Sequence, residues 1–169
     1  DTSYECPDQS TISHSSNQAH PFATGAWRAP ANNTNTYARE SQIDMMAAKA
    51  RMDPIEFRLK NLRDERMIAV LKGLKQFVNW QPAVSPSGRG LGIACGFDAG
   101  SYVAHMAEVK VDQLTGEIRV LRVACVQEMG FCVNPHGATI QMESCLTMGM
   151  GYALTEEVEF TGGMVKTSN

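Results

Sequence analysis

The chain has 169 residues, 43% of them hydrophobic, and a formal net charge of −3, enough to bury the core of one domain. The acidic balance, with no basic stripe, argues against a nucleic-acid partner; no apolar run approaches the ~20 residues of a membrane span, and no signal-peptide pattern opens the chain. The five cysteines, at 6, 95, 125, 132 and 145, are odd in number and widely spaced, which argues against a disulfide framework or zinc site and suits a reducing, cytoplasmic setting, with the periplasm as the alternative.

Residues 1–35 are polar and rich in Ser, Thr, Asn and Pro. They read as extended or loop structure, with room for an edge strand, that needs support from elsewhere. Thr34-Asn35-Thr36 offers an N-cap cluster, and Ile43, Met46, Ala47 and Ala50 recur at helical spacing, which predicts a helix to about Met52. Asp53-Pro54 restarts the chain as N-cap and first helical position. Ile55, Leu59 and Leu62 form the stripe of this second helix, and Glu56 stands four before Lys60 as a supporting pair. A third helix, about Glu65 to Val78, carries Val70, Leu71, Leu74, Phe77 and Val78 on one side. All these stripes read as core packing.

Two prolines and a glycine make 81–88 a linker. The apolar period then changes from helix-like to strand-like. Arg89 to Phe97 reads as a strand. In the next, Val103, His105, Ala107, Val109 and Val111 share one face, and Tyr102, Met106, Glu108 and Lys110 the other. Asp112 to Gly116 is a hairpin connection, and the return strand runs from Glu117 to about Gln127. After Asn134-Pro135 comes a glycine-bearing helix over 137–154 with Gln141 near its start.

The order of helices, antiparallel β-meander and further helix is an α+β signature. It divides the chain into an extended segment at 1–35, a helical segment at 36–80, and a meander plus helix at 81–169, together one incomplete domain. The chain opens at Asp1 and stops soon after Gly162-Gly163. That reads as a cut before the next strand pairs, and so as a piece of a longer polypeptide.

Few residues stand out as chemistry. Arg28, in Trp27-Arg28-Ala29-Pro30, could hold phosphate or a cofactor oxygen in a forked geometry; taken alone, the segment reads as a surface arginine beside a partly buried tryptophan. Gln141 could donate to and accept from a heterocycle edge, or simply face solvent. Glycines along a helix fit close backbone packing. The histidines at 14, 20, 105 and 136 lack metal-ligand spacing; His105, alternating with valines, reads as a hydrogen-bonded core residue and the others as exposed. There is no Gly-x-Ser-x-Gly, P-loop or Cys/His nucleophile pairing, and Glu156-Glu157 reads as a solvated helix end.

Three segments, in this order, resemble a known family. They are Thr24-Gly25-Ala26-Trp27-Arg28-Ala29-Pro30 with Tyr37 to Asp44, then Asp53 to Leu62, then Ala107 to Asp112 followed by Asn134-Pro135 and Gln141-x-Glu143. The chain is similar over most of 24–166 to the molybdopterin-binding subunit or domain of the xanthine dehydrogenase/aldehyde oxidase family, the molybdenum hydroxylases.

The resemblance implies a molybdenum–molybdopterin cofactor, with Arg28 near the metal and its pterin and Gln141 lining the cofactor. It implies hydroxylation of an aldehyde or N-heterocycle with oxygen from water, and iron–sulfur clusters on a partner domain or subunit. The implied partners are the rest of the molybdopterin subunit, the iron–sulfur subunit and a small-molecule substrate. The chain departs from the pattern at Pro30, where purine-oxidising members carry an aromatic residue, and at Ser144-Cys145, where Gly-Gly or Gly-Cys is usual. The family's catalytic glutamate, in a downstream Gly-x-Gly-Glu segment, is absent here. The isolated chain is therefore expected to be inactive, with Trp27, Met142, Cys145, Met148 and Met150 partly uncovered, and so either to self-associate or to hold its 1–35 segment loosely until a partner orders it. The alternative reading is a non-catalytic binding or scaffold module that keeps the fold without the cofactor; a stand-alone α+β domain is a third.

Overall fold

A computed structural model describes residues 3–14, 25–81 and 88–167. The expected linker lies mostly at 82–87, outside the described residues, as does His20. The fold is α+β, in two compact units: Asp1–Glu5 with Ala31–Asn134, and Cys6–Pro30 with Pro135–Asn169.

The first unit opens with α1, Asn32–Lys49. It begins earlier than the Thr34-Asn35-Thr36 cluster suggests, from Ala31 in the left-handed region (φ 59°), with no side chain capping it. The hydroxyl of Thr34 donates back to the Ala31 carbonyl instead, so its side chain is spent inside the first turn. The helix also stops short of Met52, because Arg51 turns to φ 55° and Met52 N bonds back to the Ala47 carbonyl, a Schellman-type close.

Helix α2, Pro54–Lys60, is capped by Asp53, whose Oδ1 accepts from Ile55 N and Glu56 N. Helix α3, Glu65–Phe77, is capped in the same way by Asp64. Each cap aspartate has a second oxygen to spare, and each gives it to an aromatic side chain. Asp53 Oδ2 accepts from Trp80 Nε1 at 2.8 Å and Asp64 Oδ2 from the Tyr102 hydroxyl at 2.9 Å. These bonds, backbone donors first, hold the Asp64 carboxyl below its usual range. Glu56 pairs with Lys75 of α3 at 2.5 Å and not with Lys60, so it ties two helices together. Met67, Val70, Leu71 and Leu74 are buried, but Phe77, expected on that stripe, is 71% exposed in the last turn.

Strands β1 (Arg89–Asp98), β2 (Ser101–Val111) and β3 (Ile118–Glu128) form an antiparallel sheet in that order. Asp112 shapes the β2–β3 turn by accepting from Leu114 N and Thr115 N, and Gly116 takes φ 76°. Ile93 and Cys95 pair with Met106 and Ala104, and Met106 pairs with Ala124. These five residues are the buried side of the sheet, and α3 packs on it. A Cβ at Gly73 would lie 3.4 Å from Val126 Cγ1, so a glycine there lets α3 settle close. His105 lies on the opposite face. Its Nε2 is buried with no hydrogen-bond partner among the described residues, which corrects the expectation of a hydrogen-bonded histidine. Burial lowers its pKa.

The free edge of β1 is closed by side chains. Arg58 Nη2 donates to the Ile93 carbonyl (3.0 Å), Arg39 Nη2 to the Cys95 carbonyl (3.3 Å), and Cys95 N donates to Glu40 Oε2 (3.1 Å). Arg58 is 0% exposed. Its other donors reach Glu40 Oε2, the Glu40 carbonyl, Asp44 Oδ1 and the Pro54 carbonyl, so all of its N–H groups are used. Tyr4, bridged to Leu62 in an isolated antiparallel pair, donates its hydroxyl to Glu40 at 3.0 Å and lies 3.2 Å from Cys95 Sγ. Burial pushes the Cys95 thiol up to about 12. An exposed edge invites pairing with a foreign strand; here a buried ion pair occupies those backbone groups.

In the second unit, α4 is Pro135–Leu154. It starts at Pro135, which sits at the first helical position where its missing N–H costs nothing. None of its residues is buried. Gly151 explains itself locally: a Cβ there would collide with Glu156 Oε1, and the Gly151 carbonyl accepts from Thr155 N and Glu156 N as the chain turns back. β4 (Phe160–Thr161) and β5 (Met164–Val165) then pair around Gly162-Gly163, both at positive φ. The strand expected to be cut off before pairing does pair, as a two-residue hairpin.

Candidate functional site

The two candidate residues, Arg28 and Gln141, belong to the same unit. Gln141 is the seventh residue of α4, so it lies about two turns in, past the free N–H groups of the helix start. Along α4, positions 141, 144, 148 and 152 recur at three- and four-residue spacing and share one side of the helix. Arg28 meets that side. Its Nη1 donates to Met148 Sδ at 3.1 Å, and the Ser144 hydroxyl approaches the same sulfur at 3.7 Å. One residue earlier, Trp27 Nε1 donates to the Tyr152 hydroxyl at 2.5 Å.

The segment at 27–28 is thus tied to one stripe of α4. Gln141 and Met148, the residue that Arg28 contacts, stand on that stripe, separated by roughly 10 Å of helix axis at a rise of ~1.5 Å per residue. A thioether is a weak acceptor and carries no charge, and no carboxylate pairs with Arg28 among the described residues. Most of the guanidinium fork is left for another acceptor. The Gln141 amide, exposed, makes no hydrogen bond among the described residues and both donates and accepts. An oxyanion-bearing, hydrogen-bonding ligand suits such a donor set.

Sequence reasoning picked out Arg28 and Gln141 as candidates but missed Met148 as the contact of Arg28 and Tyr152 as that of Trp27. The signal was present, because both fall in helical register with Gln141. Trp27 was expected to be partly buried and is 66% exposed. Cys145 is exposed, while Met142, Met148 and Met150 are half-buried. Glycine as a bare-backbone cofactor seat finds no support at Gly149, where an added Cβ would meet open space. No cluster of His, Cys, Asp or Glu among the described residues could hold a metal directly.

A family described as molybdopterin cofactor-binding domain matches residues 27–169, a span that takes in Arg28, Gln141 and all of α4. The chain belongs to that family, the molybdopterin-binding region of the xanthine dehydrogenase/aldehyde oxidase enzymes. It is 34% identical to a nicotinate dehydrogenase subunit of Pseudomonas putida over 85% of its length and 14% of the relative's. It is 28% identical to the beta subunit of isoquinoline 1-oxidoreductase of Brevundimonas diminuta over 79% of its length and 17% of the relative's. A shorter stretch, 37% of the chain and 8% of the relative, is 40% identical to the aldehyde oxidoreductase molybdenum-binding subunit PaoC of Escherichia coli. The chain therefore spans between a twelfth and about a sixth of these relatives. No helix among the described residues is long and apolar enough to cross a membrane.

Proposed function

We propose that this molybdopterin-binding chain forms one wall of the cofactor site in a molybdenum hydroxylase that oxidises an aldehyde or N-heterocycle. The observation that carries the reading is the stripe on α4 that Arg28 and Gln141 share, with a guanidinium free of any carboxylate partner among the described residues. Arg28 supplies charged, forked donors to a phosphate or pterin oxygen, and Gln141 supplies an amide that pairs with a heterocycle edge. When bound, the molybdenum cofactor supplies a two-electron oxidation in which substrate carbon gains a hydroxyl oxygen from water, releasing two protons and two electrons. The electrons leave through iron–sulfur clusters on a partner domain or subunit, since five scattered cysteines provide no cluster site here. The remainder of the molybdopterin subunit completes the site and supplies the catalytic base, so the 169-residue chain alone is inactive. The odd number and wide spacing of the five cysteines suit a reducing compartment such as the cytoplasm.

The complete enzyme, assayed in ¹⁸O-labelled water with an aldehyde or an N-heterocycle such as nicotinate, tests this reading. The expected product carries one labelled oxygen, and Arg28→Leu lowers kcat/KM by at least tenfold, as loss of a charge-assisted bond of about 1.5–3 kcal/mol implies. Unlabelled product, or full activity in Arg28→Leu, contradicts it. The relatives named for nicotinate, isoquinoline and aldehyde substrates make these compounds the ones to try first.

A further inference from the structure

Neither Arg28 nor Gln141 fixes itself. Met148 is the only side chain that Arg28 touches among the hydrogen bonds of the described residues, and a thioether acceptor is too weak to orient a guanidinium by itself. The residue before it is better held. The Trp27 indole, a single donor on a rigid ring, ends 2.5 Å from the Tyr152 hydroxyl. Tyr152 stands four residues beyond Met148 on the same side of α4, so the two contacts run parallel: Trp27 on Tyr152, Arg28 on Met148. Backbone geometry adds to the need for a clamp. Ala29 and Ala31 both take positive φ, 58° and 59°, a region that costs a non-glycine residue about 1 kcal/mol or more. A segment bent in that way relaxes unless something holds it.

We infer that Tyr152 is a positioning residue: by accepting the Trp27 indole N–H it holds the 27–30 segment against α4 and seats Arg28 beside Met148, facing the same side as Gln141. The inference rests on the reading of Arg28 as a cofactor ligand and adds the residue pair that aims it. Tyr152 touches no cofactor in this account. It acts through Trp27, and its hydroxyl is the part that matters.

The test uses the complete cofactor-loaded enzyme labelled with 5-fluorotryptophan, in wild type, Tyr152→Phe, Trp27→Phe, the double variant, and Arg28→Gln. Two quantities are read: the ¹⁹F resonances of Trp27 and Trp80, and the rate at which bound molybdenum is lost on dilution. Trp27 is assigned by its disappearance in Trp27→Phe. Trp80, buried and bonded to Asp53, serves as the internal control of fold. Tyr152→Phe is expected to shift the Trp27 resonance, leave that of Trp80 in place, and speed molybdenum loss about fivefold, the worth of one ordinary hydrogen bond. The double variant is expected to lose molybdenum no faster than the worse single variant, because both remove one linkage. Multiplying effects, or an unmoved Trp27 resonance, overturn the inference. If Arg28→Gln loses molybdenum rapidly while Tyr152→Phe does not, the positioning role alone falls. If Arg28→Gln retains it like wild type, the cofactor reading falls and takes this inference with it.

Discussion

His105 shows what a strand-period reading contains and what it leaves out. Its alternation with Val103 and Val109 placed it correctly on one face of β2, but alternation says nothing about whether a ring nitrogen finds a partner. The structure leaves Nε2 buried and unbonded among the described residues, and burial lowers the pKa of the ring from its ordinary value near 6.5. A histidine kept neutral in the folded state binds fewer protons than it does unfolded. Stability is therefore complete above about pH 6.5 and is lost as pH falls through the folded value. In urea titrations between pH 7.5 and 5, the wild-type chain is expected to weaken on acidification, by up to ~1.4 kcal/mol for each tenfold loss of proton affinity on folding, while His105→Leu shows a flatter profile. Equal slopes in both would show that the ring is charged or solvated in the fold. Arg58 is the converse case. Nothing in DPIEFRLKN marks its arginine as buried; only the tertiary fold shows its N–H groups spread over Glu40, Asp44, Pro54 and the β1 edge.

Elements with strong local signals were legible. Asp53-Pro54 carries both an N-cap and a first-position proline, and α2 starts where that pair says. The hairpin after Val111 was equally plain, since Asp112 and Gly116 are the residues its turn chemistry demands. Helix α1 was not, because its start is fixed by a strained Ala31 and not by the Thr34-Asn35-Thr36 side chains. The second job of the cap aspartates was also invisible, as Trp80 lies 27 residues from Asp53 in sequence. That job predicts an order among variants. Asp53→Ala loses the cap and strands the partly buried indole N–H, at about 2–3 kcal/mol; Asp53→Ser keeps the cap and loses only the Trp80 bond, at about 1 kcal/mol. Thermal unfolding that ranks the two variants equally would mean that the Asp53–Trp80 bond contributes nothing.

At the scale of the whole molecule, the fold class was readable from the order of helical and strand periods and the family from three short segments, whereas neither α4 nor the 25–30 segment says by itself that a cofactor is near. What joins them is spacing: positions 141, 148 and 152 on one helical stripe, with Trp27 and Arg28 bonded to the last two. The central claim is that this stripe belongs to the wall that holds the molybdenum cofactor. Its most direct test is the molybdenum-to-protein ratio of the purified complete enzyme bearing Gln141→Leu and Arg28→Leu together, measured by elemental mass spectrometry beside wild type and a control such as Lys72→Ala on the exposed side of α3. The control is expected to match wild type, and the double variant, folded and assembled, to retain less than about a tenth of the metal, as loss of two ligand contacts at about 1 kcal/mol or more each implies. A double variant with the full wild-type molybdenum ratio would contradict it.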